Sequence, residues 1–445
     1  MMFNKEELIK ATGAKVLKDS NKEAYYSIST DTRTIKSGDI YLPLKGANFD
    51  GEKFIDKAII SGAKAYFTTS DNVFDNADLV LKVENTLEAY LNIAKYYRNK
   101  INPITIAITG SAGKTTTKEL VYSVVSQKYS TQKTFSNHNN EIGFCQTVLG
   151  MNKDTKALIV EMGMRGLGEI ELISTHLEPN YAIITNCGSA HVGRLGSLDN
   201  IAKAKCEITK GLKKNGTLFA KNQDRIKKFI DFEGEKIYYS LGDVKILKQM
   251  KSYSKFEYKN ETYELNVEGE YNIENSLSAI ELGQKIGLSY LEIKKGLASY
   301  HPIEKRWEEE EINGLKFIND SYNANPESVK ASVKTFVELY KNPVVVLGDM
   351  KELGDNEINY HKEVGRYLST LNKNVKYITI GNLAHETGKE LENNGFDIIY
   401  LNSNKDAACY ILENLNKDNT IFLKASRSMQ FEEILDDIRR GICKL

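Results

Sequence analysis

The run Ile104-Thr-Ile-Ala-Ile-Thr109 is followed at once by Gly110-Ser111-Ala112-Gly113-Lys114-Thr115-Thr116 and by a helical pattern that reaches about residue 127. An apolar run that ends in a glycine turn and opens a helix is typical of an α/β sheet. Glycines let the backbone fold around a phosphate, Lys114 supplies positive charge and the Thr115 hydroxyl can ligate Mg²⁺. We therefore predict a nucleotide site. The alternative is an ordinary βα turn. The loop is a short variant of the P-loop, because two residues lie between Gly110 and Gly113, whereas the full pattern has four between its glycines.

The rest of the chain divides around this unit. Its 445 residues are too many for one ordinary domain. Asn102-Pro103 ends a predicted helix at 86–100, so we place a boundary there. We predict the α/β class with three domains: a small mixed α/β domain at 1–100, a central domain with a mainly parallel sheet at 101–302, and a second open parallel sheet at 303–445. The strands of that second sheet are predicted at 343–347, 376–380, 397–401 and 420–423.

The composition excludes several classes of protein. Lys and Arg number 60 and Asp and Glu number 60, so no basic excess points to a nucleic-acid partner. The cysteines are scattered without a C-x-x-C pair, which argues against a disulfide framework or a zinc site; they are Cys145, Cys187, Cys206, Cys409 and Cys443. The N-terminus lacks the apolar segment of a signal peptide, and no later stretch approaches a membrane span. We expect a cytoplasmic protein without membrane insertion.

Two further polar residues follow predicted strands of the central sheet. Glu161 comes after the apolar run 157–160, and His191 follows the strand at 181–185. Both are expected at the carboxyl edge of the sheet, beside the P-loop, where a carboxylate suits Mg²⁺. The alternatives are a solvated glutamate and a structural histidine. Lys205 lies on a predicted helix among other Lys and Glu residues, and composition alone indicates a solvated charged face.

A polar turn, Asp320-Ser-Tyr322-Asn323-Ala-Asn325-Pro, follows the strand-like segment 315–319 and precedes a helix. Asp and Asn stabilise turns and helix starts, so a capping turn is one interpretation, with Arg306 as a surface charge. The other is a cleft that closes over the nucleotide, since the turn opens a new domain after a complete nucleotide-binding one.

Eight segments, in order, resemble the Mur ligases of peptidoglycan synthesis. They are D-T-R-x-I-x-x-G-D at 31–39, T-G-S-A-G-K-T-T at 109–116, N-H-N-N-E-I-G at 137–143, E-M-G-M-R-G-L-G-E-I at 161–170, T-N-x-x-x-A-H at 185–191, A-K-x-E-I at 204–208, D-S-Y-N-A-N-P-E-S at 320–328 and L-G-D-M-x-E-L-G at 347–354. The resemblance covers nearly the whole chain. Its Asn-Ala-Asn-Pro segment is similar to that of the members that add D-alanyl-D-alanine.

The resemblance implies a domain for a UDP-linked substrate, a central ATP-binding (P-loop) ATPase-like domain and a C-terminal Rossmann-like ligase domain. It implies that the carboxylate of UDP-MurNAc-tripeptide attacks the γ-phosphate of ATP, and that the amine of D-Ala-D-Ala then displaces phosphate from the acyl phosphate. ATP and Mg²⁺ at two sites are the implied cofactors. The partners are these small-molecule substrates, and we expect a monomer.

The resemblance also implies residue roles. Lys114, Lys205 and His191 are the implied catalytic residues, and Thr115, Glu161, His191 and Lys205 are the implied metal ligands, with Lys205 matching a lysine that the family carbamylates. A carbamate is an oxygen donor, which an ammonium is not. Residues 110–116, Asn140, Asn275, Arg306 and Asp320 are the implied nucleotide contacts. The implied substrate contacts are Asp31, Thr32, Arg33, Lys45, Gly46 and Asp50 for the uridine diphosphate, and Asn137, Tyr322, Asn323, Asn325, Lys424, Ser426 and Arg427.

The sequence departs from the family pattern at three positions. Tyr271 and Glu52 stand where histidine is usual, and Ala425 stands where glycine is usual. Two other functions remain as alternatives: another carboxylate–amine ligase of the Mur and folylpolyglutamate superfamily, and a nucleotide-switch binding module that uses the P-loop without ligation.

Overall fold

The computed structural model describes residues 3–24, 26–46, 48–74, 76–303, 305–371 and 374–441, so Cys443 lies outside the described residues. These residues form three α/β units in chain order, built on a five-stranded sheet and two six-stranded sheets, with a three-stranded and a two-stranded sheet in addition. The predicted fold class is therefore confirmed, whereas the boundaries at residues 100 and 302 stay predictions. Among the described residues, no helix has both the length and the apolar character needed to cross a bilayer.

The N-terminal sheet has the order β1-β7-β6-β3-β2, with β1 antiparallel to β7 and the other pairs parallel. Helix α3 begins where the Asn85 side chain accepts the N–H groups of Leu87 and Glu88, and it ends at Asn102, which has a φ of 52°. The elements are α1 (Lys5–Thr12), β1 (Lys15–Asp19), β2 (Ile28–Ser29), β3 (Ile40–Tyr41), β4 (Lys45–Gly46), β5 (Phe49–Asp50), α2 (Ile55–Ile60), β6 (Ala65–Thr68), β7 (Leu79–Lys82) and α3 (Thr86–Ile101).

The central sheet is parallel throughout, in the order β13-β12-β11-β8-β10-β9. Its elements are β8 (Ile104–Thr109), α4 (Lys114–Val125), β9 (Thr131–Lys133), α5 (Glu141–Leu149), β10 (Ala157–Glu161), α6 (Glu169–Leu177), β11 (Tyr181–Ile184), α7 (Val192–Leu195), α8 (Leu198–Cys206), β12 (Thr217–Lys221), α9 (Asp224–Phe229) and β13 (Glu235–Tyr239). Ile106, Ala107 and Ile108 of β8 are fully buried. Because β10 and β11 flank β8, their carboxyl ends meet beside the glycine turn.

The strand-rich segment that follows forms a separate antiparallel sheet of β14 (Val244–Met250), β15 (Tyr253–Tyr258) and β16 (Glu261–Leu265). Helices α10 (Glu270–Lys285) and α11 (Tyr290–Ala298) complete this part of the chain, and both pack on α4. Helix α4, which begins at the end of the glycine turn, therefore packs against the sheet on one side and against α10 and α11 on the other.

The C-terminal sheet has the order β17-β18-β22-β19-β20-β21. We predicted a parallel sheet, and β18, β22, β19, β20 and β21 are parallel, but the edge strand β17 is antiparallel to β18. The elements are β17 (Glu308–Ile312), β18 (Leu315–Asn319), α12 (Pro326–Leu339), β19 (Pro343–Gly348), α13 (Glu357–Leu368), β20 (Lys376–Ile380), α14 (Asn382–Glu392), β21 (Ile398–Leu401), α15 (Asn404–Asn414), β22 (Thr420–Lys424) and α16 (Glu432–Arg440).

A carboxylate caps one helix of this C-terminal sheet from a neighbouring strand. Asp349 directly follows β19, and its Oδ1 accepts the N–H groups of Leu383 (3.0 Å) and Ala384 (2.8 Å) at the start of α14. Gly381, with a φ of 101°, allows this approach, because a Cβ there would lie 2.6 Å from the same oxygen. The N-terminus of α14 is thus already occupied by a negative charge.

Candidate functional site

The glycine turn after β8 is braced by the turn after β11. The N–H of Ala112 donates to Oδ1 of Asn186 (2.9 Å), and the N–H of Ser111 donates to the Asn186 carbonyl (3.0 Å). The Thr185 hydroxyl donates to the Ala112 carbonyl at 2.6 Å. Gly110 has a φ of 154°, and a Cβ there would lie 1.9 Å from Oγ1 of Thr185. The short turn between the two glycines is therefore preformed by its neighbour.

Lys114 and Thr115 begin α4 at this turn. The Lys114 ammonium donates to the Gly110 carbonyl (2.8 Å). Burial lowers the pKa of Lys114, and nearby Arg306 lowers it further, while Glu161 opposes the shift. Arg306 reaches across from the C-terminal part of the chain and donates to Oγ1 of Thr115 at 3.0 Å. It is therefore not an isolated surface charge, which was one of the two interpretations.

Glu161, at the end of β10, is 2% exposed, which excludes the solvated alternative. Its Oε1 accepts from the Thr115 hydroxyl (3.2 Å) and from Nδ2 of Asn139 (3.0 Å). Its Oε2 is buried without a hydrogen-bond partner. The hydroxyl and the carboxylate expected to share a cation thus lie in direct contact.

Lys118 and Asn139 contribute to this site, although neither was predicted from the sequence. The Lys118 ammonium lies 3.7 Å from Oε2 of Glu161, with both side chains 1% exposed. It also donates to the carbonyls of Thr134 (2.9 Å) and Ser136 (3.2 Å). Lys118 lies one helical turn after Lys114, so spacing was the available signal. Asn139 makes the Glu161 contact, whereas its predicted neighbour Asn140 caps α5 through the N–H of Gly143.

The position of Lys205 contradicts the interpretation that it lies on a solvated charged face. It is fully buried in α8, and its Nζ has no hydrogen-bond partner. Burial, and then the charge of Lys114, hold the pKa of Lys205 well below its usual value. A buried amine that is neutral is nucleophilic, so it is suited to addition to CO₂, which gives a carbamate.

His191 faces a carboxylate from the C-terminal part of the chain. Its Nδ1 lies 2.6 Å from Oε2 of Glu352, whose other oxygen accepts from Arg194 at 3.0 Å. The contact with His191 is the largest cause that lowers the pKa of Glu352 to about 2, and Arg194 adds to it. A second such contact joins Glu327 to Ser189, whose N–H and hydroxyl both donate to its carboxylate at 2.9 Å.

The polar turn before α12 forms the opposite wall. The Lys424 ammonium donates to Oδ2 of Asp320 (2.6 Å) and to the Asn323 carbonyl (3.2 Å). The guanidinium of Arg306 stacks over the Tyr322 ring at 4.0 Å. The capping interpretation is confirmed for Asn325, since its Oδ1 accepts the N–H of Ser328 at 2.9 Å.

Most of the predicted site residues line one cavity of about 860 Å³, a size typical of ligand sites. The predicted residues in its wall are Ser111, Ala112, Gly113, Lys114, Thr115, Thr116, Asn137, Asn140, Glu161, His191, Asn275, Arg306, Asp320, Tyr322, Asn323, Asn325 and Lys424. Those outside its wall are Gly110, Lys205, Ser426, Arg427 and the six positions of the N-terminal domain. The wall therefore joins the central and C-terminal sheets.

Six predicted positions form a separate group on the N-terminal domain. Lys45 pairs with Asp50 across the β4–β5 hairpin, which also contains Gly46. The Arg33 guanidinium donates to the carboxylate of Asp31, and Thr32 lies between the two residues in the chain. This contact is the largest cause that lowers the pKa of Asp31 to about 2. Arg33 is largely exposed and close to an ordered turn, so it is available to an anionic ligand.

The three departures from the family pattern have local explanations. Glu52 accepts from the backbone N–H of Thr69 (2.6 Å) and so fixes the end of β6. Ala425 is fully buried beside Gly348, and Tyr271 lies in the cavity wall next to Trp307, with ring centroids 6.2 Å apart. Ser426 lies outside the cavity wall, where its hydroxyl accepts the N–H of Lys351 at 2.8 Å and donates to the Ala324 carbonyl at 3.5 Å.

The donor set around Glu161 is suited to a hard cation. Mg²⁺ usually takes one or two carboxylates and keeps several waters, so Thr115 and Glu161 suffice for one ion. Within the described ranges, no three His, Cys, Asp or Glu side chains cluster as a ready metal site. A second ion beside His191 would need a further oxygen donor, and the Lys205 ammonium is not one.

Comparison with known proteins agrees with this arrangement. Residues 24–98 match the profile of the Mur ligase family catalytic domain, 108–283 that of the Mur ligase middle domain and 305–427 that of the Mur ligase glutamate ligase domain. The UDP-N-acetylmuramoyl-tripeptide–D-alanyl-D-alanine ligase of Bacillus subtilis is 35% identical over 98% of this chain and 97% of its own. The ligase of the same name from Synechocystis is 36% identical over 78% of this chain and 77% of its own.

A solved structure extends the likeness to three dimensions. MurF from Acinetobacter baumannii is 26% identical, has a TM-score of 0.90 and is matched over 99% of both chains. Sequence profiles, relatives and fold thus agree over nearly the whole length. The chain belongs to the Mur ligase family.

Proposed function

We propose that this protein is an ATP-dependent carbon–nitrogen ligase that joins D-alanyl-D-alanine to the C-terminal carboxylate of UDP-MurNAc-tripeptide. The product is the UDP-MurNAc-pentapeptide precursor of peptidoglycan. The relatives are ligases that bear the name of this reaction, and the one from Bacillus subtilis matches the chain over nearly its full length, which supports the proposal. The observation that carries the proposal is the single cavity in which the P-loop, Glu161 and the C-terminal Asp320–Lys424 pair face one another.

The reaction has two steps. The tripeptide carboxylate attacks the γ-phosphorus of ATP, which forms an acyl phosphate and releases ADP. The amine of D-Ala-D-Ala then attacks the acyl carbon, and the tetrahedral intermediate expels phosphate as the amide forms. The main barrier in the first step is the approach of two anions, so the site must offset negative charge.

The residues of the chain divide this work. The P-loop amides and Lys114 fix the phosphates, and Asn140, Asn275, Arg306 and Asp320 hold the rest of the nucleotide. Thr115 and Glu161 hold one Mg²⁺, and His191 with carbamylated Lys205 holds a second. When bound, Mg²⁺ offsets the charge of the phosphates and of the attacking carboxylate. These assignments rest on motif positions and on the contacts among the side chains.

The substrate assignments are part of the same proposal. The N-terminal group at Asp31, Thr32, Arg33, Lys45, Gly46 and Asp50 binds the uridine diphosphate. Asn137 and the turn with Tyr322, Asn323 and Asn325 contact the peptide, because they border the cavity. The segment with Lys424, Ser426 and Arg427 binds the carboxylate of the dipeptide. Arg427 makes this contact, because it is the exposed residue of the three.

Phosphate release from ATP and Mg²⁺ tests the function. The assay contains UDP-MurNAc-tripeptide, with and without D-Ala-D-Ala, and the product is read by mass spectrometry. Both the L-lysine and the diaminopimelate tripeptide are supplied in parallel. We expect release that needs both substrates and a product heavier by the dipeptide less one water. Release without a joined product, or release with a single amino acid as the amine, would favour another ligase of the superfamily.

A further inference from the structure

Glu352 grips the loop that carries His191 at three points. Its Oε2 lies 2.6 Å from Nδ1 of His191, its Oε1 accepts from Arg194 at 3.0 Å, and its carbonyl accepts the N–H of Gly193 at 3.0 Å. Glu352 follows β19 of the C-terminal sheet, whereas the loop follows β11 of the central sheet. One side chain therefore ties the two sheets together at a residue implied to bind metal.

The contact determines which nitrogen of His191 is left for a ligand. The Glu352 carboxylate lies against Nδ1, which is buried, so Nε2 is the ring nitrogen that is left for a ligand. A carboxylate packed on a histidine in this way restricts the orientation of its ring toward a metal. His191 and Glu352 both lie in the cavity wall.

The backbone around this contact is unusual on both sides. His191 has a φ of 67° and Glu352 a φ of 66°, so two non-glycine residues with left-handed backbones face each other. Beside them, a Cβ on Gly193 would lie 2.4 Å from the nitrogen of Gly354. The two loops thus meet backbone to backbone, which fixes the position of the carboxylate relative to the ring.

We propose that Glu352 is a positioning residue that orients His191 for metal binding, so that the second metal site is complete only when the C-terminal domain is docked on the central domain. The inference rests on the proposed function, because that function makes His191 a metal ligand. It adds an order to the reaction: the domain that delivers the amine also completes the site that holds the phosphates.

Glu327 provides a matched control. Its carboxylate also joins the two domains, and its hydrogen bonds there come from the N–H and the hydroxyl of Ser189. If Glu352 only holds the two domains together, Glu352→Ala and Glu327→Ala should have equal effects on metal binding. A residue that positions His191 predicts an effect on metal binding for Glu352→Ala alone. Glu352→Gln keeps the size of the side chain and an oxygen beside Nδ1 of His191, so it should recover much of the loss.

The test uses Mn²⁺ in place of Mg²⁺ on the full chain with bound ADP. Electron paramagnetic resonance counts the ions and gives their affinities, and small-angle scattering reports domain docking. We expect two ions in the wild type, and a weaker site that loses at least tenfold in affinity in Glu352→Ala, stays within about twofold in Glu327→Ala and recovers in Glu352→Gln. Equal losses in both alanine variants, no loss in Glu352→Ala, or one ion in the wild type would each overturn the inference.

Kinetics separate this inference from the proposed function. In the ligase assay, Glu352→Ala should lower kcat at least tenfold with little change in the KM for ATP, because ATP is held by the P-loop. If the wild type binds two Mn²⁺ ions in a Glu352-dependent way but joins no dipeptide, then the proposed function fails and the positioning role stands.

Discussion

Replacing Lys118 by methionine tests the electrostatic design of the site without touching the nucleotide loop. Methionine fills a similar space, so packing is largely kept while the charge is lost. The change removes a cation 3.7 Å from Oε2 of Glu161 in a place where both side chains are 1% exposed, and it leaves the carbonyls of Thr134 and Ser136 without their donor. Lys118 is therefore a countercharge built into the fold.

The size of the effect follows from the cost of an unpaired buried charge. Removing one partner of a buried pair costs about 3–5 kcal/mol. For a domain of roughly 200 residues, 1 kcal/mol shifts Tm by about 2–4 °C, so the lower bound of the cost predicts a drop of about 6–12 °C. Differential scanning calorimetry without nucleotide measures this drop in Tm. The control is Lys214→Met, which replaces an exposed lysine of the same domain. Adding ATP and Mg²⁺ should narrow the gap, because a cation bound at Glu161 replaces the lost charge. A drop of less than 2 °C relative to Lys214→Met would refute the countercharge role.

Three further changes test other parts of the site. Lys114→Ala should abolish ADP release, because the γ-phosphate loses its countercharge; near-normal turnover would contradict the P-loop role. Lys205→Ala should be inactive but partly recover with a short-chain carboxylate that enters the vacated space, and failure of that rescue would leave the carbamate without support. Gly113→Ala puts a Cβ 2.6 Å from a side-chain oxygen and should weaken ATP binding at least tenfold by calorimetry, whereas Gly196→Ala has the same φ of 78° and open space and should not. Burial raises the pKa of Cys187 to about 12, so its thiolate forms only far above neutrality and iodoacetamide at pH 8 should label it after denaturation but not before.

Local sequence signals predicted the strands well where pattern and punctuation agree. The bounds of β8 follow from an apolar run between Pro103 and Gly110, and those of β20 from a similar run at 376–380. The edge strand β17 was missed because its sequence, Glu-Glu-Glu-Glu-Ile, has no apolar alternation and a low intrinsic preference for strands. It forms because β18 offers it a full antiparallel ladder.

The candidate site was predicted where it depends on one segment and missed where it depends on two. Glycines and Lys114 identify the P-loop from a few adjacent letters. The burial of Lys205 was not visible, since a helix of mixed charge has the same composition whether it faces water or a core. Glu352 and His191 are separated by more than 150 residues, so only the folded chain brings their side chains together.

The capped start of α14 has a consequence for anion selectivity. The chain contains two sheets of related design, and each ends in crevices where a helix N-terminus faces the strand ends. In the central sheet that position is open, whereas in the C-terminal sheet the Asp349 carboxylate occupies it. Asp349 is also paired with the Lys351 ammonium at 2.8 Å, so a phosphate that approached α14 would have to displace a carboxylate whose hydrogen bonds are already satisfied. We therefore expect phosphates to prefer the helix N-terminus of the central sheet over that of the C-terminal sheet.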